Sequence, residues 1–219
     1  YGQVETPSAR EVFAADHDNM VIHMTRYGEN PVGTDEYYAQ IGADAVNGVK
    51  NYGFRNFTSL ETSDQYKTHL RNLRALQYLK SRPEWDGKNL SLIGGSLGGY
   101  QAICLAGLDP DVTSLNANVP WSVDLGGVKL GRMSGWRPDW VEGVTDYFDA
   151  KNFAYNVTCP TVITAGIGDY TCPPSGEAQL YRILSCKKKI TFTQNMGHGS
   201  LHGPSATCAS WIYKDWPDD

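Results

Sequence analysis

Asn89-Leu90-Ser91-Leu92-Ile93-Gly94-Gly95-Ser96-Leu97-Gly98-Gly99-Tyr100-Gln101-Ala102-Ile103-Cys104-Leu105-Ala106 reads as an apolar strand, a tight glycine-rich turn and the opening of a helix. Glycines on both sides of Ser96 let the backbone pass through a sharp bend, so the hydroxyl stands exposed where strand meets helix. Glycine supplies 23 of the 219 residues, so a G-x-S-x-G match alone is weak. The alternative is a turn that merely permits close packing, and the strand-turn-helix setting favours the nucleophile reading.

A serine nucleophile needs a base and an acid, each at the end of a later strand. The run Cys159-Pro160-Thr161-Val162-Ile163-Thr164-Ala165-Gly166-Ile167-Gly168 is rich in β-branched residues and ends at Asp169, before Pro173-Pro174. The alternating stretch Lys189-Ile190-Thr191-Phe192-Thr193-Gln194 leads to Gly197-His198-Gly199. A single loop Asp or His is ordinarily a solvated turn residue. Ser96, Asp169 and His198, each following its own strand in this order, form a candidate catalytic triad.

Several stretches together resemble the acetyl xylan esterase and cephalosporin C deacetylase family of α/β-hydrolases, carbohydrate esterase family seven. They are Ser81-Arg82-Pro83-Glu84-Trp85-Asp86-Gly87, Gly94 to Gly99, Ala117-Asn118-Val119-Pro120, and Tyr147-Phe148-Asp149-Ala150-Lys151-Asn152-Phe153-Ala154. Gly168-Asp169-Tyr170-Thr171-Cys172-Pro173-Pro174-Ser175 and Gly197-His198 complete the set, and Asp-x-x-Cys-Pro-Pro-Ser is the most specific element. The resemblance implies an α/β fold with a mostly parallel sheet and flanking helices. It also implies a cofactor-free serine esterase that removes acetyl groups from a carbohydrate, acetylated xylan or its oligosaccharides. A peptidase or dienelactone-type hydrolase, or a binding module without a working triad, are the other readings of such a chain.

In this chemistry Ser96 attacks the ester, His198 moves the proton, and Asp169 orients the ring. Where the family usually carries glutamine after the nucleophile, this chain has Leu97, whose backbone N–H remains the expected first oxyanion donor. The resemblance matches Tyr1-Gly2 to the tail of a His-Gly-Tyr-Gly-like turn, which makes Tyr1 the second expected donor. It also suggests oligomers that wall off the active site.

The rest of the chain supports an expectation of one catalytic domain over 1–219, with a lid-like insertion at 121–150. That insertion concentrates Trp121, Trp136, Trp140 and Tyr147. Trp121 directly follows the strand beside the nucleophile strand, and we expect it to wall the acyl side of the pocket. A helix is expected at 8–15, strands at 20–25 and 112–119, and a helix over Asp64 to Lys80 with Tyr66, Leu70, Leu73, Leu76, Tyr78 and Leu79 as its apolar stripe. Lys189 to Gln194 is expected to be the last strand. About five parallel strands result, and a hydrolase sheet of the usual form needs a further central strand. Unpaired interior backbone groups cost about 1–3 kcal/mol each, so the chain is expected to be a fragment of a longer polypeptide, or to have the gap filled by another segment.

Net charge is −5 with a sequence pI of about 5.5, which gives no basic face for nucleic acid. Lys187-Lys188-Lys189 reads as a solvated strand entry. No apolar run of about 18 residues is present, so no membrane span is expected. His198 and His202 are four apart but lie among glycines without a helix or an intervening Glu, so no metal site is expected. Five cysteines, Cys104, Cys159, Cys172, Cys186 and Cys208, lead to an expectation of a secreted or periplasmic protein. A bridge from Cys172 to a later cysteine would pin the acid loop. Three Asn-x-Ser/Thr triplets, beginning at Asn56, Asn89 and Asn156, do not decide the source.

Overall fold

Ser63 opens the helix α1, Asp64–Lys80, by accepting the Gln65 N–H on its hydroxyl at 3.1 Å. Asp64 in the first turn and Lys80 in the last complement the helix dipole. The computed structural model describes residues 58–131, 140–199 and 209–215, with 34–36, Met20, Ile22 and Met24. The chain divides into two compact units, 1–87 and 88–219, and α1 belongs to the first. The buried face of α1 is not the expected stripe. Tyr66, Leu70 and Tyr78 are exposed, while Gln65, Thr68, His69 and Asn72 join Leu76 and Leu79 inside. A polar face of this kind carries no hydropathy signal, although its spacing is as helical as that of the apolar stripe.

The second unit is built on a five-stranded sheet in the order β1-β2-β3-β4-β5. β1 spans Ser91–Gly95, β2 Ser114–Asn118, β3 Thr161–Gly166, β4 Lys188–Thr193 and β5 Ser210–Lys214. The first four are parallel, and their crossovers carry the helices α2 (Leu97–Leu108), α3 (Ala150–Ala154) and α4 (Pro174–Ile183). In register, Ala117 faces Ile163 and Ile163 faces Ile190, all buried, so the core runs across the sheet through its smallest and its β-branched residues. Ile103 and Cys104 of α2 are buried with them.

β4 is not the last strand. Ser210-Trp211-Ile212-Tyr213-Lys214 pairs antiparallel with it, Ile190 opposite Tyr213, and the Lys188 N–H donates to Asp215 Oδ1 at 2.9 Å. All five β5 residues are exposed, which explains why an alternation of buried and solvated positions did not reveal it. The expected helix at 8–15 and all but three residues of the expected strand at 20–25 lie outside the described residues. Among the described residues β1 pairs only with β2, and the side chain of Ile93 on it is 74% exposed. No described helix is long and apolar enough to cross a membrane.

Candidate active site

The carboxyl ends of parallel strands collect the loops that carry chemistry in open α/β sheets. At the end of β1, Ser96 turns the chain into α2 with φ 52° and ψ −118°. Its N–H donates to Asn118 O at 2.9 Å, and its own carbonyl accepts the N–H groups of Tyr100 at 3.0 Å and Trp121 at 2.9 Å. A Cβ on Gly94 would lie 2.2 Å from Gly98 O, so glycine there is what allows strand and helix to meet.

β3 ends at Gly166, and a Cβ there would come 2.5 Å from the carbonyls of both Met196 and Gly197. This close approach brings the loop after β4 against the loop after β3. The Gly168 N–H donates to Met196 O at 3.0 Å and the Ile167 N–H to Thr193 O at 3.1 Å. The result is one assembly that holds Asp169 and His198 together.

Asp169 is 3% exposed. Its Oδ1 accepts the N–H groups of Thr171 and Cys172, both at 2.8 Å, and its Oδ2 lies 2.9 Å from His198 Nδ1. An ionised carboxylate only accepts, so Nδ1 carries the ring proton and Nε2 is the free acceptor. Nε2 lies 2.9 Å from Ser96 Oγ, positioned to take the hydroxyl proton. Three residues spread over 102 positions of chain thus form one continuous hydrogen-bonded line.

Leu97 is the first residue of α2, so its N–H is among those that a helix cannot satisfy internally. Tyr1, the other expected oxyanion donor, and His202 lie outside the described residues. Trp121 is 3% exposed and packs edge-on against Tyr100 of α2, with ring centroids 6.0 Å apart. Its backbone is bonded to the nucleophile residue.

Cys104, Cys159, Cys172 and Cys186 are free thiols in the structure, which shows no bridge from Cys172, and Cys208 lies outside the described residues. Hydrogen bonds to the Asp169 carboxylate and to Met196 O hold the acid loop instead. Burial pushes the Cys172 thiol well up, with the charges of Asp169 and Glu177 adding to it and the Ser96 hydroxyl opposing. Asp169, Cys172 and His198 also place one ligand atom each within 4.8 Å of one another. Both Asp169 oxygens already accept N–H groups.

Sequence reasoning missed Glu177. It is 1% exposed on α4, neither carboxylate oxygen has a hydrogen-bond partner among the described residues, and burial together with the charge of Asp169 raises it well above the ordinary glutamate value. Nothing in its local sequence distinguishes it from a solvated helix residue.

Residues 142–214 match the family model described as acetyl xylan esterase. The acetyl esterase Axe7A of Xylanibacter ruminicola is 32% identical over 220 aligned residues, 94% of this chain and 48% of that protein. The acetyl xylan esterase from Paenibacillus sp. R4 superposes with a TM-score of 0.60 at 25% identity, over 66% of this chain and 51% of that one. Acetyl xylan esterase 1 from Thermoanaerobacterium sp. JW/SL YS485 shares the fold at a TM-score of 0.52 and 23% identity, over 62% and 48% of the two chains. The parallel sheet, its flanking helices and the turn at Ser96 make this an α/β-hydrolase. Within that superfamily the chain belongs to the acetyl xylan esterase family, and it spans about half the length of the relatives it matches.

Proposed function

We propose that the protein is a serine esterase that removes O-acetyl groups from carbohydrate, acetylated xylan or xylo-oligosaccharides, through an acyl-serine intermediate. The observation that carries this reading is the placement of the His198 ring between Ser96 Oγ and Asp169 Oδ2, 2.9 Å from each. Ser96 Oγ attacks the acetyl carbonyl as His198 Nε2 takes its proton, and the imidazolium then gives that proton to the departing sugar oxygen. Water repeats the sequence to release acetate and restore the hydroxyl. Asp169 fixes the tautomer and stabilises the imidazolium without itself changing protonation.

Charge growing on the carbonyl oxygen needs fixed donors, and the Leu97 N–H at the start of α2 fits that need. Tyr1 is proposed as the second donor on family resemblance. Trp121 is proposed to limit the acyl pocket, supported by its seat on α2 beside Ser96. The 121–150 insertion as a lid, secretion or a periplasmic location, and a homo-oligomer belong to the same proposal.

The full-length protein should be labelled at Ser96 by a fluorophosphonate and should release acetate from acetylated xylo-oligosaccharides. Ser96→Ala should abolish labelling and lower turnover by about 10⁴-fold or more. Acetate release that survives in Ser96→Ala, or hydrolysis of short peptides in preference to acetyl esters, would overturn the proposal.

A further inference from the structure

The entry ends of β3 and β4, remote from the catalytic loops, bring two cysteines side by side. Thr161 is paired with Lys188, and the Thr161 N–H extends the ladder by donating to Lys187 O at 2.9 Å. Cys159 and Cys186 each lie two residues ahead of that pair, in the bends that lead into β3 and β4. The Cys186 sulfur is also near enough to act on the Cys159 thiol electrostatically. The Thr161 hydroxyl links the two residues directly: it donates to Cys159 O at 3.0 Å and accepts from the Cys186 thiol at 3.6 Å. Each thiol is free.

We propose that Cys159 and Cys186 are a disulfide-forming pair that staples the entry ends of β3 and β4. Cys159 is buried and Cys186 is half-buried, so Cys186 meets the oxidant first. Its thiolate attacks one sulfur of an external disulfide, for example glutathione disulfide, and one thiolate leaves. Cys159 then attacks the Cys186 sulfur, the mixed disulfide breaks, and the second external thiolate departs. Two protein thiols are oxidised, one external disulfide is reduced, and the two protons end on the released thiols. Burial and the neighbouring Cys186 sulfur both push the Cys159 thiol up.

Neither Cys104 nor Cys172 competes. Cys104 is buried in α2, and Cys172 sits beside Ser96 at the opposite ends of the strands. The two stapled strands are those whose far ends lead to Asp169 and His198, and the loop closed by the bridge contains all of α4. The bridge therefore restrains the unfolded chain without touching the reacting groups. This inference is independent of the proposed esterase activity, since it is read from strand register and thiol placement alone.

The full-length protein, incubated with glutathione disulfide and blocked with an alkylating agent, should yield a non-reduced tryptic species joining the Cys159 and Cys186 peptides. Its mass should be two hydrogens below the sum of their thiol forms. Cleavage after Arg182 separates the two cysteines but leaves Cys172 on the Cys159 peptide, so fragmentation must assign the linked sulfur. Oxidation should raise the unfolding midpoint by about 4 °C or more, and that rise should vanish in Cys159→Ser and in Cys186→Ser. Alkylation of both thiols after full oxidation, or linkage of either one to Cys208 or Cys172 instead, would overturn the pairing.

Discussion

Ser96 occupies a backbone region that side chains avoid, at a cost of about 1–3 kcal/mol, and the surrounding contacts hold it there. Three backbone hydrogen bonds converge on this residue, one on its N–H and two on its carbonyl. The glycines flanking it are not equivalent. A Cβ on Gly94 would overlap Gly98 O, whereas a Cβ on Gly98 meets nothing described within 4 Å. Gly94→Ala should therefore cost about 3 kcal/mol or more in urea unfolding, because backbone must move. Gly98→Ala, at a helical position with open space, should be neutral or stabilise by about 0.5–1 kcal/mol. Equal losses from both substitutions would show that the elbow is not held by this contact. The motif, legible as G-x-S-x-G, hides this asymmetry because only the path of the chain says which glycine another atom approaches.

Among the elements, the connection leaving β2 is the most constrained. Val119, Ser122 and Asp124 all have positive φ, at 39°, 58° and 59°, and none is glycine. The Asp149 carboxylate holds the turn by accepting the N–H groups of Asp124 at 3.0 Å and Leu125 at 2.7 Å, and it also caps α3 through Lys151 N at 3.0 Å. Burial raises the Asp149 carboxyl, and the Lys151 ammonium, which also pairs with the Asp124 carboxylate, pulls it back. Asp149→Ala would leave two interior N–H groups unpaired and Lys151 short of one counter-charge. We expect a loss of about 3 kcal/mol by chemical denaturation, with Asp149→Asn retaining part of it because an amide oxygen still accepts. At this scale the sequence showed Asp149 only as one letter of a family-like stretch. β5 and the polar face of α1 escaped for a related reason, since neither alternates apolar with polar residues in the way burial usually demands.

Over the whole molecule, stability should carry the imprint of Glu177. The folded protein keeps its proton at pH values where an unfolded glutamate has lost it, since the buried group sits well above the ordinary 4.5. Folding then takes up a proton, so stability falls as pH rises above about 4.5 and continues to fall until the folded-state value is reached. Glu177→Gln removes that loss. Urea unfolding should show the stability difference moving in favour of the glutamine variant as the pH is raised from about 5 to about 8. A difference that stays flat would mean that the carboxyl is ionised in the folded protein.

The sequence by itself determined the α/β architecture and the strand and loop that carry each of Ser96, Asp169 and His198, because strand periodicity and glycine punctuation are local properties, while the family came from the resemblance of its motif stretches. Only the tertiary structure decided that Gly166 lets the histidine loop reach the acid loop, that the Cys186 thiol reaches Thr161 at the entry to β3, and that Glu177 lies buried with no hydrogen-bond partner among the described residues. Those facts depend on which residues distant in the chain approach each other, and strand register and close backbone contact set that only once the sheet has formed.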